Sequence, residues 1–508
     1  MATKWWTLLV VCLATFMLLL DVTVVNVALP AIQSDLGSSF SDLQWVVDAY
    51  ALMLAAALLT AGSFSDLLGR RKVFVTGVIA FIVASLLCGL STSPLMLNLA
   101  RGFQGVGGAL MFATSLALLA QEFHGRERGT AFGVWGATTG LSVAIGPLVG
   151  GVLTEAFGWE WIFFVNIPVG IFTSVLAVSK MREGEPDRSR RIDWGGAATF
   201  SVALFCLVFA LIRGNEEGWG SPMIVSLLVT SAALLIAFVV IELTIEQPML
   251  DLNLFRKPSF GGAQAVAFFL HASMFAMFLY IVLYMQNVLD YSPLQAGVRF
   301  LPISLLSFFS APIAGRLSAF APVRLLMGAG LTLVGIGLLL MSGLTVDDTW
   351  TALLAGFIVA GVGIGFTNAP LASTAVAVVE PARSGVASGA NSTFRQVGTA
   401  TGIAALGAIF QARVADHAAQ MLSTTLPPGA SHRLGDAIAS GAGEHAARFA
   451  PPQARETVAN VAREAFVSGM NDIFVVAAIG AFVGAALGLL LVRRRDFVVS
   501  QSPAEAAA

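Results

Sequence analysis

The sequence predicts an all-α polytopic membrane protein of fourteen transmembrane helices, arranged as six, two and six, with both termini on the cytoplasmic side. Three observations carry that prediction. Of 508 residues, 57% are hydrophobic and only 11% charged, far below the roughly 25% charge of soluble domains. Apolar runs of the roughly 20 residues needed to cross the hydrocarbon recur along the chain. Lys and Arg collect in alternate connections, as the insertion machinery requires of cytoplasmic loops.

Taken in order, the apolar runs are 5–28, 43–62, 73–92, 95–120, 130–154, 161–180, 194–213, 222–242, 259–286, 295–315, 325–345, 351–377, 386–410 and 468–492. The first follows Lys4 and outruns a signal-peptide core of about 7–15 residues, so it reads as a retained span. Most of the 28 Lys and Arg then fall on one side: Lys4, Arg70 to Lys72, Arg126 and Arg128, the cluster from Lys180 to Arg191, Arg256 and Lys257, Arg316 and Arg324, Arg383, and Arg493 to Arg495. A wrong helix count would scramble this alternation, and an even count returns the C-terminus to the N-terminal side. Between the second and third runs, the stretch GSFSDLLGRRK (Gly62 to Lys72) crowds Asp66, Gly69, Arg70, Arg71 and Lys72 into a tight hinge.

Internal repetition divides the chain. Gly62 and Arg71 are nine residues apart, as are Gly315 and Arg324, 253 positions later. Glu122, Arg126 and Gly129 find counterparts in Glu380, Arg383 and Gly385, whereas Ala319 stands where Asp66 does. Repeated halves are a common transporter plan. The expected units are a six-helix bundle at 1–180, a charged linker with an inserted helix pair at 181–258, and a second six-helix bundle at 259–508. The second bundle carries an exterior segment, 411–467, broken by Pro427, Pro428, Pro451 and Pro452 into short surface helices. That segment holds His417, His432 and His445, too far apart and too far from any Cys to suggest a metal site; it reads as a solvated lid.

The same numbers exclude other classes. A net charge of −2 with no extended basic face argues against nucleic acid, and little chain remains for a soluble enzyme domain. Cys12, Cys88 and Cys206 lie within apolar runs and read as small core residues. No metal or organic cofactor is expected. The partners expected are the lipid bilayer and a small amphipathic molecule, with the chain acting as a monomer.

Ionisable groups inside spans cost several kcal/mol and are functional hypotheses by default. At about 1.5 Å per residue, Asp21 lies roughly 10 Å, Asp48 roughly 8 Å and Arg101 roughly 9 Å from the outer ends of their helices. One shared level suggests a cluster of two carboxylates and a guanidinium able to exchange a proton as the site meets each compartment. Structural alternatives stand beside this: a wetted position for Asp48, interhelical hydrogen bonding for Asp21 alongside Asn26, and backbone-carbonyl pairing for Arg101. Arg395 and His271 read as pathway residues or as satisfied interior groups. Gly136 and Gly140, then Gly146 and Gly150, recur at four-residue spacing and leave a flat helix face for close approach. Pro147 beside them favours a bend.

The hinge Gly62 to Lys72 resembles the signature loop between the second and third spans of major facilitator superfamily transporters. LNLARGFQGVGGA (Leu97 to Ala109) is similar to that superfamily's fourth-span motif, and GATTGLSVAIGPLVGG (Gly136 to Gly151) to the fifth-span motif of its antiporters. LDVTVVNVALP (Leu20 to Pro30) and WEWIFFVNIPVG (Trp159 to Gly170) resemble segments of the fourteen-span drug/proton antiporters, with Glu160 where that family usually has Arg. The resemblance implies that Asp21 and Asp48 carry protons or cationic drugs, that Arg101 tunes their protonation, and that Asp66, Arg70 and Arg71 form a cytoplasmic latch with Glu122 as a partner. The function expected is proton-coupled export of lipophilic or cationic drugs or antibiotics across the plasma membrane, the proton being the coupling ion. Uptake by a symporter or facilitator of the same fold, and a receptor or scaffold, are the alternatives.

Overall fold

The computed structural model describes residues 3–184, 192–423, 431, 434–435, 438 and 455–498. Its first half comprises α1 (Thr3–Leu36), α2 (Phe40–Leu68), α3 (Arg70–Gly89), α4 (Pro94–Glu122), α5 (Gly125–Phe157) and the short α6 (Trp161–Phe164), which runs into α7 (Asn166–Lys180). Two further helices follow, α8 (Trp194–Glu217) and α9 (Pro222–Thr244). In the second half, α10 (Pro258–Leu270) passes through a π-helical turn, His271–Phe275, into α11 (Ala276–Asn287). Then come α12 (Pro293–Arg299), α13 (Leu301–Leu317), α14 (Val323–Leu340), α15 (Leu354–Ala377), α16 (Ser384–Leu422) and α17 (Arg455–Leu491).

Local chemistry sets where these helices begin. Ser39 accepts from the Asp42 amide while the Asp42 carboxylate accepts from the Ser39 amide, a reciprocal cap on α2. Ser292 and Gln295 make the same box ahead of α12, at the same 253-residue offset as the hinge repeat. Ser93 and Ser221 cap α4 and α9, each followed by a proline at the first turn. Between α2 and α3 the chain turns on Gly69 alone, at φ +104°, a conformation a side chain would strain.

Among the described residues, twelve helices are long and apolar enough to cross a bilayer, and two further apolar helices, Leu148–Phe157 and Leu301–Leu317, are shorter. The ends of the expected exterior segment differ from the sequence-based expectation. α16 continues to Leu422 and α17 already begins at Arg455, so both ends of 411–467 are helix. An apolar run measures bilayer thickness; helix propensity continues past it through Ala-rich sequence such as Ala415 to Ala419. His432, His445 and the four prolines lie outside the described residues. His417 sits 3.8 Å from Asp472, beside Arg413 at 3.4 Å.

The packing repeats as the sequence does. α2 and α3 flank α4 in the first half as α13 and α14 flank α15 in the second. α1 lies on α5 as α10 lies on α16, and α3 on α7 as α14 on α17. The halves meet along two equivalent seams, α2 with α16 and α5 with α13. Each seam closes on a pair of glycines at the end of the bundle that holds Arg70, hereafter the basic end. A Cβ at Gly62 would overlap the Gly385 carbonyl, and one at Gly129 the Gly315 carbonyl; the reverse holds for Gly385 and Gly315. The four glycines are the repeat partners found in the sequence.

Backbone contact of this kind tolerates no side chain, and overpacking costs typically about 1–3 kcal/mol. Gly62→Val should therefore part the basic end. A cysteine replacing the fully buried Ser388 should react with a water-soluble maleimide about tenfold faster in that background. An unchanged rate would show that the glycine pair does not hold the seam.

Candidate functional site

Five helices converge on Asp21, which is only 2% exposed. Arg101 on α4 donates from Nη1 to Asp21 Oδ2 at 2.5 Å, and Gln104, one turn further on, donates to Oδ1 at 2.9 Å. Asn166 at the start of α7 gives Oδ1 a second donor at 3.0 Å. Ser85 of α3 receives Gln104 at 2.8 Å and so fixes its amide. Arg101 also donates from Nη1 to Gln104 Oε1 at 2.6 Å and from Nε to the Val46 carbonyl of α2 at 2.9 Å, and its guanidinium lies 4.4 Å from the centre of the Tyr50 ring. Gly105 allows the approach of α2: a Cβ there would strike the Tyr50 carbonyl. Gln104 stands inside the fourth-span motif and Asn166 inside the run Trp159 to Gly170; both are polar residues in apolar spans, the signal that marks them.

Asp48 does not join this cluster. Val46 and Tyr50 of α2 face Arg101, and at about 100° per residue the side chain between them leaves from the opposite face. There the charges acting on Asp48 are Arg213 and Glu216 of α8. Arg213, the last residue of the apolar run 194–213, is buried. It donates to Gln44 at 3.0 Å and to Glu216 at 2.7 Å, and Gln44 also donates to Glu216. Two residues after Arg213, Asn215 donates to the Ala404 carbonyl of α16 at 3.0 Å. α8 thus touches both halves.

At the basic end, buried Asp66 accepts from the amides of Gly385 and Val386 at 2.9 and 3.0 Å. These are the unpaired donors of the α16 N-terminus, where a carboxylate is favoured. Arg70 clasps Asp66 at 2.9 Å and donates to the Pro381 carbonyl of the other half. Arg71 turns the opposite way, its backbone amide and side chain held by Glu183 and the carbonyl of Met181 beyond α7. Glu122 has no ion-pair partner among the described residues; the further link between halves comes from Arg128, which donates to the Ser373 carbonyl of α15 at 3.2 Å.

The α5 glycines divide into two sets. Gly136 faces Ala311 and Ala369 and Gly140 faces Ser307, all in the second half, whereas Gly146 and Gly150 meet Thr23 and Val24 of α1. The Pro147 side chain falls outside the described residues. Asn26 is exposed and bonds its own helix at Val22. His271 opens the π-helical turn, bonding the Ala267 carbonyl and stacking on Phe275 with ring centres 4.3 Å apart. Arg395 is buried on α16, with Asn391 and Asn368 each accepting at 3.0 Å and Trp135 of α5 at 5.7 Å.

Residues 11–403 match the family model described as Major Facilitator Superfamily. The chain is 37% identical to the puromycin resistance protein pur8 of Streptomyces alboniger, with 87% of this chain and 89% of that protein covered. It is 34% identical to the multidrug resistance protein Stp of Mycobacterium tuberculosis (94% and 89%) and 33% identical to the tetracenomycin C resistance and export protein of Streptomyces glaucescens (93% and 89%). The crystal structure of the human organic anion transporter MFSD10 (TETRAN) shares the fold, with a TM-score of 0.62 over 96% of this chain and 99% of that one at 14% identity. A family model spanning most of the chain, relatives covered nearly end to end and helices apolar enough to cross a bilayer many times lead to one conclusion: the chain belongs to the Major Facilitator Superfamily and is a multi-pass transporter of the plasma membrane.

Proposed function

We propose that this transporter is a proton-coupled antiporter exporting lipophilic organic compounds by alternating access, built on fourteen spans with the basic end and both termini in the cytoplasm. The observation that carries the proposal is Asp21, a carboxylate sealed inside an apolar bundle against Arg101. Burying that ion pair is expensive, and a static hydrogen-bond anchor needs no charge. The surroundings suit a group that gains and loses a proton. When Asp21 is protonated, Arg101 retains Gln104 Oε1 and the Val46 carbonyl as acceptors. Export agrees with the names of these relatives, which speak of resistance and export rather than uptake.

In this reading Asp66 is the latch. Its bonds to the α16 amides exist only while the basic end is closed, so they stabilise the state that opens outward. Proton entry and compound exit then alternate as the two glycine-paired seams part and close. Asp48, facing α8, secures the inserted helix.

Three outcomes are expected in liposomes containing the purified protein and an imposed proton gradient. Asp21→Asn should abolish compound-dependent proton movement while leaving folding intact; persistence of that movement would remove Asp21 as the carrier. Asp48→Asn should retain the coupling, and its loss would return Asp48 to the coupling site. Asp66→Ala removes charge-assisted bonds worth about 1.5–3 kcal/mol each. It should slow turnover by at least about tenfold without changing which compounds are carried, and an altered compound range would contradict the latch.

A further inference from the structure

Arg395 is 5% exposed, yet no carboxylate lies within ion-pairing distance of it among the described residues. Its position is central. It is the twelfth residue of α16, roughly 17 Å along the helix from the basic end, about half the hydrocarbon thickness. Trp135, its ring neighbour, belongs to the opposite half and is itself fixed by a 3.1 Å bond to Thr15. Arg395 therefore sits where the two halves face each other at mid-depth.

The hydrogen bonds around it are incomplete in one direction. Nε and Nη1 are used by Asn391 and Asn368, while Nη2 is buried with no partner among the described residues. Asn391 also donates to Gln264 Oε1 at 3.2 Å, and Gln264 Nε2 is again buried with no partner. One connected network thus ends in two unused donors. Its counterpart in the first half is closed, since Asp21 is saturated by Arg101, Gln104 and Asn166 and the pair carries no net charge. At mid-depth the described seam therefore offers donors and positive charge, and no free carboxylate on Asp21.

A buried, unpaired cation and an orphaned amide are costly to maintain. We infer that Arg395 and Gln264 form a substrate subsite for an acceptor group, a carboxylate, sulfonate or phenolate on a flat lipophilic body, with Trp135 bordering it. The favoured cargo is an aromatic anion rather than an organic cation. The inference rests on the export reading for its context, and direct binding tests it separately.

The test is isothermal titration of the purified full chain with three probes that share one ring system: 2-naphthoate, 2-naphthamide and 2-naphthylmethylammonium. The wild type should bind naphthoate most tightly. Arg395→Gln should weaken naphthoate by at least about tenfold, the worth of one charge-assisted hydrogen bond, and leave the ammonium probe unchanged. Arg395→Lys keeps the charge without the fork and should fall between; it also carries the test if Arg395→Gln fails to fold. A wild type that prefers the ammonium, or an Arg395→Gln protein with lowered thermal stability but the same ratio of naphthoate to ammonium affinity, would make Arg395 structural and overturn the assignment. Naphthoate binding with no proton-coupled flux would sink the export reading instead.

Discussion

The two halves touch backbone to backbone at the basic end, and the rest of the architecture follows from that contact. Gly62 against Gly385 and Gly129 against Gly315 bring carbonyl oxygens into space that any side chain would fill. Only at that distance can the Asp66 carboxylate reach the first amides of α16 while remaining bonded to Arg70 of its own hinge. The charge-assisted bonds of Asp66 are thus conditional on the close backbone contact. Helix pairing in a bilayer gains little from the hydrophobic effect, so close packing of small residues and hydrogen bonds across the seam must supply the association. Both are concentrated here, at pseudo-equivalent points of two repeated halves.

Much of this was legible in the sequence. Run length located the helices, and the repeat of Gly62 and Gly129 in Gly315 and Gly385 marked the very residues that meet across the seams. The repeated helix cap, Ser39 with Asp42 and Ser292 with Gln295, stands at the same offset but came to light only in the structure. Other features needed the third dimension. A depth argument along helix axes puts Asp48 level with Asp21 and Arg101 but says nothing about azimuth, and azimuth turns it towards α8. The alternation of Val46, Asp48 and Tyr50 contains that information only once one of the three is known to face Arg101. The contact between Arg213 and the second helix depends on where an inserted helix docks, which no local pattern encodes. Hydropathy likewise ends α16 at the membrane surface, where backbone propensity does not.

The halves share a fold but differ in charge chemistry. The first closes a carboxylate, a guanidinium and three amide or hydroxyl side chains into a ring of satisfied bonds around Asp21. The second places a guanidinium on α16 and meets its Nε and Nη1 with neutral amides from α16 itself and α15, the first of which donates in turn to Gln264 of α10. Duplicated frames allow such divergence because packing uses small apolar residues common to both copies, leaving buried polar positions free to specialise. The same divergence appears at the basic end, where Ala319 stands at the repeat position of Asp66 and Asp66 alone bonds the α16 amides.

Finally, α8 breaks the pseudo-twofold. It lies beside α2 and α16, bonded to Thr60 by Ser201 near one end and to the α16 backbone by Asn215 near the other. The other joint, α5 with α13, leaves Phe309 and Ile313 facing outward and exposed. The molecule therefore has a sheltered flank and a bare one. A lipid-dissolved compound drifting in the leaflet meets a wall of extra helix on the first flank and, among the described residues, an uncovered helix joint on the second.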